Sequence, residues 1–107
     1  MSDRELLEKA AKAAGLRVVD DHAHIPSGGM WLVGADEDQV WSPLINDGDA
    51  LRLAVKLRMK LDCMPWRVEA TAEESSDVQP VVNADPYAAT RRAIVRAAAA
   101  LVEKPQV

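Results

Sequence analysis

The residues of this chain best suited to chemistry lie together in the segment Asp20-Asp21-His22-Ala23-His24. If this segment is a strand, Asp20, His22 and His24 point to one face, because side chains alternate across a strand. Two imidazoles and a carboxylate can bind zinc or iron and leave coordination positions open. A polar loop beside the Pro-Ser-Gly-Gly turn at residues 26–29 explains the same residues without a metal. No Glu-x-x-His or Cys-x-x-Cys motif supplies another ligand, so a metal-dependent enzyme is kept as an alternative function.

A second group of side chains could bind a polyanion such as nucleic acid. The group consists of Arg91, Arg92 and Arg96 in one predicted helix and Arg52, Lys56 and Lys60 in another. Arg92 and Arg96 have the i, i+4 spacing of helical neighbours, which could straddle phosphates. The net charge of −4 and the pI of about 5.1 argue against strong binding, and the chain lacks a set of aromatic residues for base stacking. Weak nucleic-acid binding is kept as a further alternative.

The remaining reactive residues do not form a catalytic set. The chain has no Gly-x-Ser-x-Gly motif and no phosphate-binding loop. The sequence gives Cys63 no basic neighbour that would activate its thiol, so a buried or merely tolerated cysteine is expected. Asp47 and Asp49 could hold a cation, but a position at the start of a helix explains both carboxylates. We therefore predict no catalytic residue and no cofactor, and a non-enzymatic role is favoured.

Composition indicates one small domain that functions in the cytoplasm. A chain of 107 residues with 49% hydrophobic content can bury a core without a disulfide or a metal. Because Phe is absent and much of the apolar content is Ala, the Leu and Val residues, Trp31, Trp41 and Trp66 are expected to supply the large core side chains. A single Cys fits a reducing compartment. No apolar run reaches the ~20 residues of a membrane span, and the charged first residues do not resemble a signal peptide.

Three helices are predicted from their terminal signals. Ser2 and Glu5 form a capping box, and Gly15 supplies a left-handed stop for the first helix. The cluster at residues 46–49 precedes a second helix from about Asp49 to Met59. Asp85 and Pro86 are typical of a helix start, and the third helix runs from Pro86 to about Glu103.

Five strands are predicted between these helices. Residues 16–19 and 30–33 form a hairpin, residues 39–41 a third strand, and residues 66–70 and 78–82 the last two, separated by a polar turn at residues 73–77. Pro80 lacks an N–H and places the last strand at a sheet edge, where pairing with a second copy could give a weak homodimer. The order α-β-β-β-α-β-β-α favours a mostly antiparallel sheet with helices packed on it, an α+β fold.

Three segments give the chain a family resemblance. They are Trp-x-Pro-Leu-x-x-Asp-Gly-Asp-Ala-Leu-Arg-Leu-Ala-Val-Lys-Leu at residues 41–57, Ala-Thr-Arg-Arg-Ala-Ile-Val-Arg-Ala-Ala-Ala at residues 89–99, and Arg-Glu-Leu-Leu-Glu-Lys-Ala-Ala-Lys-Ala-Ala-Gly at residues 4–15. Together they resemble the phage ABA-sandwich domain family, small proteins of bacteriophages and prophages. The resemblance implies a three-layer sandwich, one domain over residues 1–107 and a phage origin. It implies no activity and no site residues.

These observations lead to one expectation about function. The chain is predicted to be a non-catalytic phage or prophage accessory protein that acts by binding a host or phage protein. The alternating charge supports this role, because residues 36–49 and 69–85 are acidic whereas residues 52–67 and 86–107 are basic. If these segments stay apart in the fold, the surface is bipolar. If they pack side by side, the charges form internal ion pairs.

Overall fold

The computed structural model describes residues 2–19, 29–32 and 39–103. Within these ranges, helices flank and separate two groups of strands. The elements in chain order are α1 (Asp3–Ala13), β1 (Val18–Val19), β2 (Met30–Leu32), β3 (Gln39–Trp41), α2 (Asp47–Lys56), β4 (Lys60–Cys63), β5 (Arg67–Ala72), β6 (Ser75–Pro80) and α3 (Pro86–Glu103). The α+β class and the alternation of helices with groups of strands are confirmed. The second group has three strands where the sequence predicted two.

The described strands form two three-stranded antiparallel sheets, β1-β2-β3 and β4-β5-β6. In the first sheet the expected hairpin is confirmed, since Val18 lies opposite Leu32. In the second sheet Leu61 lies opposite Ala70, and Val68 lies opposite Gln79. Val68, Ala70 and the other inward side chains of β5 are buried, because this face of the sheet packs on α3.

Helix α3 is the central element of the fold. It packs against α1, α2, β5 and β6, so its buried residues cover most of its circumference. They are Ala89, Ala93, Ile94, Val95, Ala97, Ala98 and Ala99. Because most of these side chains are methyl groups, the neighbouring backbones can approach the helix closely. α3 forms a middle layer, with the β4-β5-β6 sheet on one side and α1 on another.

Capping residues set the ends of α1 and α3 as the sequence predicted. The backbone N–H of Glu5 donates to Ser2 Oγ at 3.2 Å, and that of Ala88 donates to Asp85 Oδ1 at 3.0 Å. Gly15 adopts φ +72° after the last turn of α1. The N–H of Leu16 then donates to the carbonyl of Ala11 at 2.8 Å, which completes a Schellman motif.

Helix α2 begins and ends earlier than predicted. Asn46 is its N-cap and accepts a hydrogen bond from the N–H of Asp49 at 2.9 Å. The helix stops at Lys56, because Arg58 takes the left-handed conformation with φ 54°. The N–H of Met59 donates to the carbonyl of Ala54 at 2.9 Å, as in a Schellman motif. An arginine replaces the usual glycine at this position.

Two further expectations need correction. Trp41 is buried as predicted, but Trp66 is 63% exposed, because it lies in the turn between β4 and β5. The polar turn predicted at residues 73–77 is shorter, and Ser75 already belongs to β6. Pro80 ends β6, which is an edge strand of the described sheet, as expected. No helix in the described ranges is long and apolar enough to cross a membrane.

Candidate functional site

An apolar cleft of about 390 Å³ lies between α2, α3 and β4. Its lining consists of Asp47, Ala50, Leu51, Leu61, Cys63, Tyr87, Thr90, Arg91 and Ile94. Ala50 and Ile94 form a buried floor, whereas Leu51 is 59% exposed and Tyr87 is 68% exposed. The cleft therefore presents large apolar side chains to solvent in one place, beside an edge of the second sheet.

The periodicity of α2 explains the exposure of Leu51. The buried face of this helix is formed by Asp49, Ala50, Leu53 and Ala54. Leu51 and Val55 are one turn apart and lie beside that face, so both are exposed. The sequence interpretation placed them in the core, and that placement is wrong.

Arg91 fixes one wall of the cleft. Its side chain is only 17% exposed and joins α3 to the start of α2. The Nε atom donates to the carbonyl of Leu44 at 2.9 Å, and Nη1 donates to Asp47 Oδ1 at 2.6 Å. This guanidinium positions Asp47 and α2 beside Tyr87, which is a structural role within the fold.

The other two arginines of α3 also pair with carboxylates. Arg92 contacts Asp3 at the start of α1 at 3.2 Å. Arg96 contacts Asp77 of β6, also at 3.2 Å. The acidic segments therefore meet the basic segment at residues 86–107 in the Arg91–Asp47 and Arg96–Asp77 pairs, whereas Arg92 pairs with α1. A phosphate bound to Arg92 or Arg96 would have to compete with the paired carboxylate.

Asp49 connects α2 to the end of β3. This carboxylate is buried and accepts a hydrogen bond from the backbone N–H of Ser42 at 2.9 Å. It also pairs with Arg52 Nη2 at 2.7 Å. Its position in the first turn of α2 agrees with the helix-start interpretation of this residue. Arg52, one of the candidate polyanion-binding residues, is thus paired as well, whereas Lys56 and Lys60 are exposed.

Among the described strands, β4 forms the edge of its sheet beside the cleft, and all four of its residues are exposed. The N–H of Met64 donates to the carbonyl of Arg67 at 2.8 Å. Hydrogen-bonded pairs alternate along an antiparallel ladder. Lys60 and Asp62 therefore direct their backbone groups toward β5, whereas Leu61 and Cys63 direct theirs away from it. Cys63 is a free, exposed thiol within this edge.

The candidate metal ligands Asp20, His22 and His24 lie outside the described residues, and the metal hypothesis remains a prediction. Among residues 2–19, 29–32 and 39–103, no three His, Cys, Asp or Glu side chains are grouped as metal ligands would be. Comparison of the chain with protein-family models, with curated proteins and with solved structures finds no match. The resemblance to the phage ABA-sandwich family likewise remains a prediction.

Sequence reasoning missed the cleft and the open edge of β4. One signal for the cleft was present, since Leu51 places an apolar side chain beside the buried stripe of α2. The edge was missed because residues 60–63 were read partly as a continuation of α2. The three arginines predicted to bind a polyanion contact different parts of the fold. Arg91 lies at the cleft, Arg92 contacts α1 and Arg96 contacts β6.

Proposed function

We propose that this chain is a non-catalytic accessory protein of a bacteriophage or prophage that binds another protein in the cytoplasm of the bacterial host. The observation that carries the proposal is the apolar cleft between α2, α3 and β4. Exposed large apolar side chains that converge on one concavity are typical of sites that bind protein partners. The resemblance of residues 41–57 and 89–99 to phage proteins supports the origin.

The cleft suits a protein segment better than a charged ligand. Its floor and most of its walls are apolar, and the one arginine in its lining is already bonded to Leu44 and Asp47. The occupant is therefore a phage or host protein that inserts apolar side chains of an amphipathic helix or strand. Leu51 and Tyr87 are the side chains with the most surface to bury on binding.

The nucleic-acid alternative receives less support from the same contacts. Arg91, Arg92 and Arg96 each neutralise a carboxylate, so phosphate binding would cost the protein these ion pairs. The net charge of −4 opposes approach of a polyanion.

The test uses the purified protein as bait in a lysate of the bacterial host, with quantitative mass spectrometry of the retained proteins. Partners identified in this way are then titrated directly against the purified variants. We expect at least one partner to bind the wild type and to lose roughly tenfold or more in affinity for Leu51→Gln/Tyr87→Gln, because both anchors of the cleft are removed. Val82→Gln is the matched control, since Val82 is an exposed apolar residue outside the cleft lining.

Two results would contradict this function. The first is equal binding of every partner to the wild type and to the double cleft variant. The second is turnover of a substrate in broad hydrolase and nuclease screens, abolished by a point substitution.

A further inference from the structure

We infer that the open edge of β4 pairs with β4 of a second copy of this chain, so that two sheets join into one antiparallel six-stranded sheet. This inference goes beyond the cleft and its partner. It rests on the backbone direction and the charge pattern of residues 60–63.

The backbone of β4 is prepared for such pairing. Leu61 and Cys63 direct their N–H and C=O groups away from β5, as the bond between Met64 and Arg67 requires. All four residues of the strand are exposed. An edge with unpaired backbone groups is a template for another strand.

The opposite edge of the sheet is less suitable. By the same alternation, Ser76, Val78 and Pro80 are the residues of β6 whose backbone groups point away from β5. Pro80 has no N–H to donate, so this edge lacks one of the hydrogen-bond donors that a pairing strand would need. The edge strand that the sequence suggested for self-association is therefore the weaker candidate of the two.

The side chains of β4 select one register for a two-fold symmetric pair. With Leu61 opposite Leu61 of the second copy, Lys60 lies opposite Asp62 of that copy, and Asp62 lies opposite its Lys60. Two cross-strand ion pairs then form on one face of the sheet, and two leucines meet on the other. The contact is isologous, as a closed dimer requires.

Other registers also let the outward N–H and C=O groups of the two strands face each other, but they are unfavourable. With Leu61 opposite Cys63 of the second copy, the two Asp62 carboxylates face each other and repel. With the two Cys63 residues opposite each other, Leu61 faces Pro65, which has no N–H to donate. The charge order Lys-Leu-Asp is thus complementary to itself in one antiparallel register.

The inner face of the joined sheet adds apolar contact. Leu61 lines the cleft on each copy, so pairing through Leu61 brings the two clefts together at the symmetry axis. The strands are short, and the buried area is small compared with a standard interface. We expect a weak dimer with a dissociation constant in the micromolar range or above.

Charge exchange tests the register directly by analytical ultracentrifugation over a wide concentration range. Lys60→Asp places like charges at both cross-strand positions, and so does Asp62→Lys. Each is expected to weaken the dimer by about tenfold. The double variant Lys60→Asp/Asp62→Lys restores both pairs and the dimer. An equimolar mixture of the two single variants also restores them, as a heterodimer. Glu69→Gln is the control, because Glu69 lies on the same face of the sheet but on β5.

A cysteine cross-link tests the same geometry independently. Hydrogen-bonded partners across an antiparallel pair have Cα atoms about 5.5 Å apart, within reach of a disulfide. Leu61→Cys/Cys63→Ser is therefore expected to form an oxidised dimer. The wild type is not, because the two Cys63 residues are four positions out of register, roughly 14 Å apart.

Three results would overturn the inference. They are a wild type that sediments at monomer mass at every concentration, a dimer that neither single charge variant weakens, and a wild type that cross-links through Cys63. Lys60 and Asp62 lie outside the cleft lining. The charge variants therefore change the dimer without changing the apolar surface of the cleft, and Leu51→Gln/Tyr87→Gln changes the cleft without changing β4, so the two proposals can fail separately.

Discussion

At the scale of single residues, the ends of α1 and α2 show how the same motif can be built with and without glycine. Both helices end in a Schellman motif, with Gly15 at φ +72° in one and Arg58 at φ 54° in the other. The sequence predicted the end of α1, because glycine is the usual residue in this conformation. It could not predict the end of α2, because nothing about an arginine indicates a left-handed backbone.

This difference predicts opposite effects of two substitutions. Arg58→Gly should raise the free energy of unfolding by about 0.5–1 kcal/mol, since relief of the left-handed strain exceeds the added chain entropy of glycine. Gly15→Ala should lower it by about 1 kcal/mol. A Cβ at Gly15 meets no atom within 4 Å, so this loss reports backbone conformation alone. Urea unfolding measures both changes, and a destabilised Arg58→Gly variant would contradict the argument.

A second residue-scale feature is the close approach of Gly29 to the end of β3. A Cβ at Gly29 would collide with Ser42 Oγ and lie 3.0 Å from the carbonyl oxygen of Trp41. Ser42 Oγ itself is buried and has no hydrogen-bond partner among the described residues. The hydroxyl therefore occupies space beside Gly29 without a compensating bond.

We expect Gly29→Ala to lower the free energy of unfolding by about 2 kcal/mol through overpacking. Ser42→Ala alone should be neutral or stabilising, because it removes an unpaired buried hydroxyl. Combined with Gly29→Ala, it should recover part of the loss, since the contact with the Trp41 carbonyl remains. Thermal and urea unfolding of the four proteins form a double-mutant cycle. Strict additivity would contradict the proposed clash.

At the scale of elements, the sequence predicted each helix and failed at two strands for physical reasons. Strand β4 was missed because Lys60 and Leu61 continue the helical spacing of Lys56 and Leu57. The repeat of a helix therefore fits these residues as well as the alternation of a strand does. The start of β6 was missed because its inward side chains are polar. Ser75 Oγ donates to the carbonyl of Ala97 at 2.6 Å. Hydrophobic patterning cannot detect a sheet face that packs on a helix through hydrogen bonds.

The arginines of α3 allow a prediction about how the helix is held. Arg91→Ala should lower the free energy of unfolding by about 2 kcal/mol, because it removes a mostly buried side chain and both of its hydrogen bonds. Arg92→Ala should cost less than about 1 kcal/mol, since its pair with Asp3 is exposed to solvent and screened. Urea unfolding at low and high salt distinguishes them. Equal losses for the two variants would contradict this ranking.

At the scale of the whole molecule, the sequence predicted the α+β class but not the candidate site. The cleft arises where α2, the start of α3 and β4 meet, and those contacts depend on the tertiary fold. Leu51 and Leu61, which line it, were assigned to the core with the other leucines, because sequence patterning cannot separate a buried side chain from one at the rim of a cleft. Metal binding by Asp20, His22 and His24 remains the alternative to a protein-binding function, and it can be tested.

Metal analysis addresses that alternative. For protein purified without a histidine tag, we expect no stoichiometric zinc, iron or manganese and no change in melting temperature on addition of these ions. The reason is that Asp20, His22 and His24 lie in one short segment, and a polar loop beside the turn at residues 26–29 explains these residues without a metal. Near-stoichiometric metal in the wild type, lost in His22→Ala/His24→Ala, would contradict the expectation and favour the enzyme.

The alanine-rich surface of α3 has a consequence for how this chain can vary in evolution. Most of its buried residues are alanines, so almost every substitution at these alanines enlarges the side chain and forces α1, α2 or the sheet away from the helix. A mutational scan of all positions should therefore find Ala93, Ala97 and Ala98 among the least tolerant sites. Sequence drift in this chain should accumulate elsewhere, as on the solvent side of α1.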